Sequence, residues 1–186
     1  MTTTGDLGAE LPIRIGMASG AFNNMTKIWK AAAFSVETKC KLFDACVLPI
    51  LLYGCESWHL TKAQAQKVSA FEMKYLRRIL GVRWYHRITN DAIRRRTQRE
   101  PITSTIMLRR WTWLGHVLRM PNDSWPRRAM FFLTSGSRGR GRPSHTVFRS
   151  FEAELRDMDM VWEEVINIAQ DRAQWRSRAL VASLCP

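Results

Sequence analysis

Apolar residues recur every three or four positions through almost the whole chain, which is the spacing of one face of an α-helix. Ile15, Ala18 and Phe22 begin the first such face. Strand-like alternation between turn signals is missing, although the apolar residues 50–53 allow one short strand. The pattern therefore predicts an all-α fold, a helical bundle of about seven helices.

Local signals indicate where several of these helices begin and end. Thr61 and Gln64 have the spacing of a capping box, and Gly81 stands where a helix C-terminal glycine is expected. Ser35 is a candidate N-cap for an earlier helix that Pro49 would kink or end. Thr89 or Asn90 would cap a short helix further along the chain.

Composition also varies along the chain, and it predicts two subdomains with a boundary near residues 82–100. Residues 135–143 contain no apolar side chain and several Gly, Ser and Pro residues, so we expect a mobile basic arm there. The expected regions are a helical region, a basic helical region, the Gly/Arg arm and a C-terminal helical pair, at residues 1–81, 82–133, 134–143 and 144–186.

The positive charge of the chain is concentrated in one segment. The formal net charge is +13, and residues 77–149 contain 17 arginines against three acidic residues. The rest of the chain has 12 basic and 13 acidic residues. Because arginine forms a planar fork that matches phosphate, and because the segment offers few acidic partners, we expect it to bind nucleic acid: RNA, DNA or an RNA–DNA hybrid.

The candidate nucleic-acid-binding residues are arginines of this segment and one tryptophan: Arg77, Arg78, Arg83, Arg87, Arg94, Arg95, Arg96, Arg109, Arg110, Trp111, Arg119, Arg138, Arg140 and Arg142. On a helix, Trp113 shares the apolar face of Ile106 and Val117, which predicts a core position. Trp111 is rotated off that face, so it is the better candidate for stacking on a base.

The arm contains the sequence R-G-R-P at residues 140–143, which resembles the core of an AT-hook. Arginines flanking a glycine could enter a narrow A·T minor groove. AT-hooks commonly add basic residues after the proline, whereas Ser144 and His145 follow here. A plain basic linker is the alternative interpretation.

The sequence gives no catalytic or metal-binding pattern. Polymerases and nucleases cluster carboxylates around two metal ions, but the aspartates are scattered here, and Asp157 and Asp159 suit a helix cap. Cys40, Cys46, Cys55 and His59 lack the close Cys pair of a structural zinc site, so the cysteines are interpreted as buried free thiols. We therefore expect no cofactor, no metal and no enzymatic activity of this chain itself.

The few cysteines and the absence of a secretion signal or an apolar run of about 20 residues predict an intracellular protein, nuclear or cytoplasmic, without a membrane partner.

Several short motifs resemble the region beyond the palm of the endonuclease–reverse transcriptases of RTE-like non-LTR retrotransposons. The resemblance covers about residues 10–186, with the motifs in the family's order. The matching motifs are R-I-G at 14–16, A-F-N at 21–23, K-I-W-K at 27–30, L-L-Y-G-C-E-S-W at 51–58, L-R-R-I-L-G at 76–81, W-L-G-H-V-L-R at 113–119, G-R-P at 141–143, A-Q-D-R at 169–172 and W-R at 175–176.

The resemblance implies a thumb-like region at residues 1–81 and a C-terminal extension, without the paired aspartates of the polymerase or the carboxylates of the endonuclease. A thumb would grip the template–primer duplex, and the basic part would engage element RNA or target DNA. The parent would be an RNA-directed DNA polymerase and endonuclease, whose missing domains would be partners. Two alternatives stay open: a co-opted DNA-binding module led by the AT-hook-like arm, and a helical protein-interaction domain.

Overall fold

The computed structural model describes residues 7–131 and 147–184, and within these ranges it contains eleven α-helices, two 3-10 turns and no strand. The all-α prediction is confirmed. The helices are α1 (Leu7–Asn24), α2 (Thr26–Lys30), α3 (Val36–Cys46), α4 (Leu48–Leu51), α5 (Lys62–Ile79), α6 (Asn90–Thr97), α7 (Ile102–Leu118), α8 (Trp125–Phe131), α9 (Val147–Asp157), α10 (Trp162–Gln170) and α11 (Arg172–Leu184). The 3-10 turns are Cys55–Ser57 and Trp84–His86.

The helices outnumber the expected seven because single residues interrupt runs that look continuous in sequence. Met25 separates α1 from α2, and Asp171 separates α10 from α11. The Asp171 carboxylate accepts the backbone N–H groups of Ala173 and Gln174 at 2.8 and 3.3 Å, and so caps α11. As a result, three helices, α9 to α11, occupy the region of the expected C-terminal pair.

Proline accounts for two further differences from the prediction. The strand allowed at residues 50–53 is wrong, because Pro49 lies in the first turn of α4. Similarly, α8 begins at Trp125 with Pro126 in its first turn. In both cases proline starts a helix instead of preventing one.

The predicted helix ends of the first half are confirmed in their hydrogen bonds. Ser35 accepts the backbone N–H of Thr38 at 3.1 Å, and Thr89 caps α6. Thr61 and Gln64 form both arms of the capping box at the start of α5. Helix α7 begins at Ile102, directly after Pro101.

The described chain divides into two compact units. The first comprises residues 1–55 and 60–105, and the second comprises residues 56–59 and 106–186. Residues 82–100, where the sequence favours a boundary, belong to the first unit because α6 packs against α3 and α5. The arm at 134–143 lies outside the described residues, so its expected mobility stays a prediction.

An aromatic cluster forms the centre of the first unit. Phe22 of α1 stacks on Trp29 of α2 with ring centroids 4.6 Å apart, and it lies 4.2 Å from the ring of Tyr75 on α5. Phe43 of α3 meets Phe22 edge-on at 6.1 Å. These contacts hold the ends of α1, α3 and α5 together and provide a rigid base for nearby polar side chains.

The second unit is built around two tryptophans. Trp111 of α7 and Trp175 of α11 stack with centroids 5.6 Å apart, and the Trp175 Nε1–H donates to the Trp111 carbonyl at 2.9 Å. Gly115, one turn after Trp111, leaves the surface of α7 open for the Trp175 indole. Phe151 of α9 packs edge-on against Trp111 and completes the core.

Candidate nucleic-acid interface

Two of the predicted binding residues are buried in the second unit. Arg110 is 6% exposed and forms an ion pair with Glu154, and Trp111 is 1% exposed and donates from Nε1 to Glu154 Oε2 at 2.8 Å. The predictions that Arg110 contacts phosphate and that Trp111 stacks on a base are therefore wrong. The acidic partner of both side chains, Glu154, comes from beyond the arginine-rich segment.

Several other arginines form hydrogen bonds or ion pairs with groups of the protein itself. Arg119 donates to the Ala169 carbonyl at 2.9 Å, and Arg94 forms an exposed ion pair with Asp91 at 3.4 Å. Arg99 pairs with Asp44 at 2.5 Å and lies 3.8 Å from the buried carboxylate of Glu72. The scarcity of acidic residues within the segment thus does not mean that its arginines are unpaired, because distant parts of the chain supply carboxylates.

The exposed members of the predicted set all lie in the first unit: Arg78, Arg83, Arg87, Arg95 and Arg96. Arg109 is half-buried in the second unit. Arg138, Arg140 and Arg142 lie outside the described residues, so the AT-hook-like interpretation of the arm stays a prediction.

A groove of about 700 Å³ in the first unit brings several of these cations together. It lies among α1, α2, α3 and the C-terminal end of α5. Its basic side chains are Lys30, Lys39, Arg77, Arg78 and Arg83, and no Asp or Glu is among its described lining residues. We call this feature the basic groove. Its one-sided charge makes it complementary to a polyanion.

The floor of the basic groove is set by the way α5 ends. Gly81 has φ +67, a left-handed conformation that suits glycine. The Val82 N–H donates to the Arg77 carbonyl at 2.9 Å, and the Gly81 N–H donates to the Arg78 carbonyl at 3.3 Å. This is a Schellman motif, and it turns the chain so that Arg83 faces the same groove as the last turn of α5.

The two arginines of that last turn have different surroundings. Arg78 lies over the Phe22 ring at 5.0 Å and donates to Asn23 Oδ1 at 2.9 Å, while remaining exposed. Arg77 donates to the Ile88 carbonyl at 3.0 Å and to Asn90 Oδ1 at 2.8 Å. Arg77 therefore connects residues 88–90 to α5 by hydrogen bonds, in addition to contributing positive charge to the groove.

An exposed aromatic turn follows the basic groove. Trp84 is 89% exposed and Tyr85 is 59% exposed, and both lie between Arg83 and Arg87. We call residues 83–87 the aromatic turn. Trp84 was not among the predicted binding residues, because the tryptophans considered as stacking candidates, Trp111 and Trp113, lie on a predicted helix. A signal for Trp84 was present in the sequence: Trp84 and Tyr85 are adjacent in a basic segment, and neither belongs to an apolar helical face.

In residues 7–131 and 147–184, no group of three or more His, Cys, Asp or Glu side chains could hold a metal ion. No helix in those ranges is long and apolar enough to cross a membrane. Cys40 and Cys55 are buried and form no disulfide, as expected, whereas Cys46, also expected to be buried, is exposed. Burial raises the pKa of the Cys40 thiol, which favours its protonated form.

Comparison with known proteins identifies one curated relative at low similarity. The chain is 28% identical over 179 residues to an uncharacterized transposon-derived protein of Caenorhabditis elegans. The match covers 91% of this chain and 63% of the relative, so the chain spans less than two thirds of that protein's length. No family model matches the chain, and no solved structure matches it.

Proposed function

We propose that this chain is the nucleic-acid-binding C-terminal part of a retrotransposon reverse transcriptase, corresponding to the thumb and the extension beyond it. Three observations support the proposal: the family motifs in the sequence, the similarity to a transposon-derived protein and the basic groove. Copying of RNA and nicking of DNA would belong to other domains of the parent protein, which would then be its partners.

The basic groove is the observation that carries the proposal. Five cations around one depression repel one another in the free chain, and the described lining offers no carboxylate to offset them. A nucleic-acid backbone relieves this repulsion and releases its own condensed counterions. Contacts of this kind fix the position of a strand without reading its bases, so we expect little sequence preference from the groove.

The same proposal assigns no phosphoryl-transfer step to this chain. Polymerases and nucleases hold two metal ions about 4 Å apart with clustered carboxylates. Two acidic side chains of the first unit have structural surroundings instead. Glu72 is fully buried and accepts the Ile102 N–H at 3.2 Å, and Asp44 pairs with Arg99.

Replacing Lys30 and Arg83 together by Gln is expected to weaken binding of a duplex about 10- to 50-fold at about 100 mM salt. Both side chains are exposed, so the fold should be unaffected. The loss of two phosphate contacts should also make the negative slope of log affinity against log salt shallower by about 2. Fluorescence anisotropy with a labelled duplex at several salt concentrations measures both quantities.

The matched control is Lys62→Gln with Lys67→Gln, which removes the same charge from exposed positions of α5 away from the basic groove. We expect this control to change affinity less than threefold, a rough limit for charges distant from the site. Equal losses in the two double variants would mean that net charge, and not the basic groove, determines binding, which would contradict the proposal.

A further inference from the structure

Trp84 presents an almost bare indole at the edge of the basic groove. Its exposure is 89%, and the neighbouring Tyr85 ring lies at a steep angle to it, with centroids 5.9 Å apart and an interplanar angle of 77°. With 89% of its surface exposed, the indole keeps most of its faces open to solvent beside Tyr85. An indole face in water is a surface on which a flat aromatic group can stack.

The turn that carries Trp84 is held in place by backbone and side-chain bonds. The His86 N–H donates to the Arg83 carbonyl at 3.1 Å, and the Arg83 N–H donates to His86 Nδ1 at 3.2 Å. The Arg87 N–H closes the turn on the Trp84 carbonyl at 3.2 Å. Together with the hydrogen bond from Arg77 to the Ile88 carbonyl, these bonds restrict the turn in the free protein. Ligand binding therefore costs less conformational entropy of the turn.

The positive charge around the Trp84 indole indicates which class of ligand can bind there. Residues 73–90 contain five basic residues and no acidic one. Arg83 joins the two features, because it precedes Trp84 in the chain and lines the basic groove. A ligand that fits both must be flat and aromatic at one point and repeatedly anionic beside it, which describes a nucleotide chain.

We propose, on the basis of the proposed function, that Trp84 stacks on an unpaired base of a single-stranded nucleic acid whose neighbouring phosphates occupy the basic groove. Bases inside a duplex have both faces covered by their neighbours and cannot reach an indole. Single strands and the unpaired overhang of a template–primer junction expose such faces. The aromatic turn would therefore favour a single strand over a blunt duplex.

The test compares an oligothymidylate of about 20 nucleotides with a blunt duplex of similar length, using the full chain and fluorescence anisotropy. Trp84→Ala is expected to weaken single-strand binding about tenfold and duplex binding less than about twofold. Trp84→Phe keeps a stacking face and should recover most of the single-strand affinity.

Trp125→Ala is the matched control, because Trp125 is 78% exposed and has Arg128 over its ring at 5.1 Å, but it lies in the second unit. We expect it to leave both affinities unchanged. Unchanged single-strand binding in Trp84→Ala, an equal loss on both ligands, or a matching loss in Trp125→Ala would overturn the stacking role. If the stacking role is overturned but the Lys30 and Arg83 double variant still loses affinity, the proposed function stands. If the wild-type chain binds neither ligand, both proposals are overturned.

Discussion

Glu154→Ala is expected to lower the free energy of unfolding of the second unit by about 3–5 kcal/mol. The carboxylate of Glu154 pairs with Arg110, which is 6% exposed, and also accepts the Trp111 indole N–H at 2.8 Å. Alanine would leave a buried guanidinium without its counter-charge and an indole without its acceptor. Buried donors and charges that lose their partners carry the full cost of their desolvation.

Chemical denaturation followed by tryptophan fluorescence measures this loss. Glu152→Ala, on the same helix α9 and without an ion pair to any described residue, is expected to cost less than about 1 kcal/mol. Glu154→Gln should fall between the two, because the amide oxygen can still accept the Trp111 N–H. A Glu154→Ala protein as stable as wild type would contradict the placement of Arg110 in the core.

Gly115→Ala is expected to destabilise the second unit by about 3 kcal/mol. A Cβ atom at this position would lie 2.0 Å from Trp175 Nε1 and 2.4 Å from two carbons of the same indole ring. The ring is held by its hydrogen bond to the Trp111 carbonyl at 2.9 Å and by stacking on Trp111. It therefore cannot move aside without breaking contacts in the middle of the core.

The control for this substitution is Gly20→Ala in α1, where a Cβ atom would meet nothing within 4 Å. Alanine there removes only the flexibility of glycine in a helix, so a gain of about 0.5–1 kcal/mol is expected. Thermal unfolding followed by circular dichroism compares the two variants. A Gly115→Ala protein that gains stability like Gly20→Ala would show that Trp175 does not lie across α7 at this glycine.

Local sequence signals predicted much of the fold because the interactions behind them are local. The capping box at Thr61 and Gln64 and the glycine stop at Gly81 each depend on residues within a few positions of one another. The all-α class follows from apolar spacing for the same reason. The helix count was less predictable, because breaks such as Met25 interrupt an apolar face without changing its period.

The candidate site was predicted only in part because arginine positions depend on distant partners. Arg110 and Glu154 are separated by 44 residues in sequence, and Arg99 and Asp44 by 55. Nothing in the local pattern distinguishes such paired arginines from the exposed Arg83. Trp111 and Trp84 show the same limit, since burial depends on which helices cover each position and not on its neighbours in the chain.

The dependence of nucleic-acid affinity on salt tests the central claim most directly. If the basic groove and the other exposed arginines neutralise about 6 phosphates, affinity of the full chain for a duplex should fall by about 10³ between 50 and 200 mM salt. Anisotropy titrations at four or five salt concentrations give the slope of log affinity against log salt. The account predicts a slope near −5. A slope near zero, or no saturable binding at the lowest salt, would contradict it and would favour a helical protein-interaction domain.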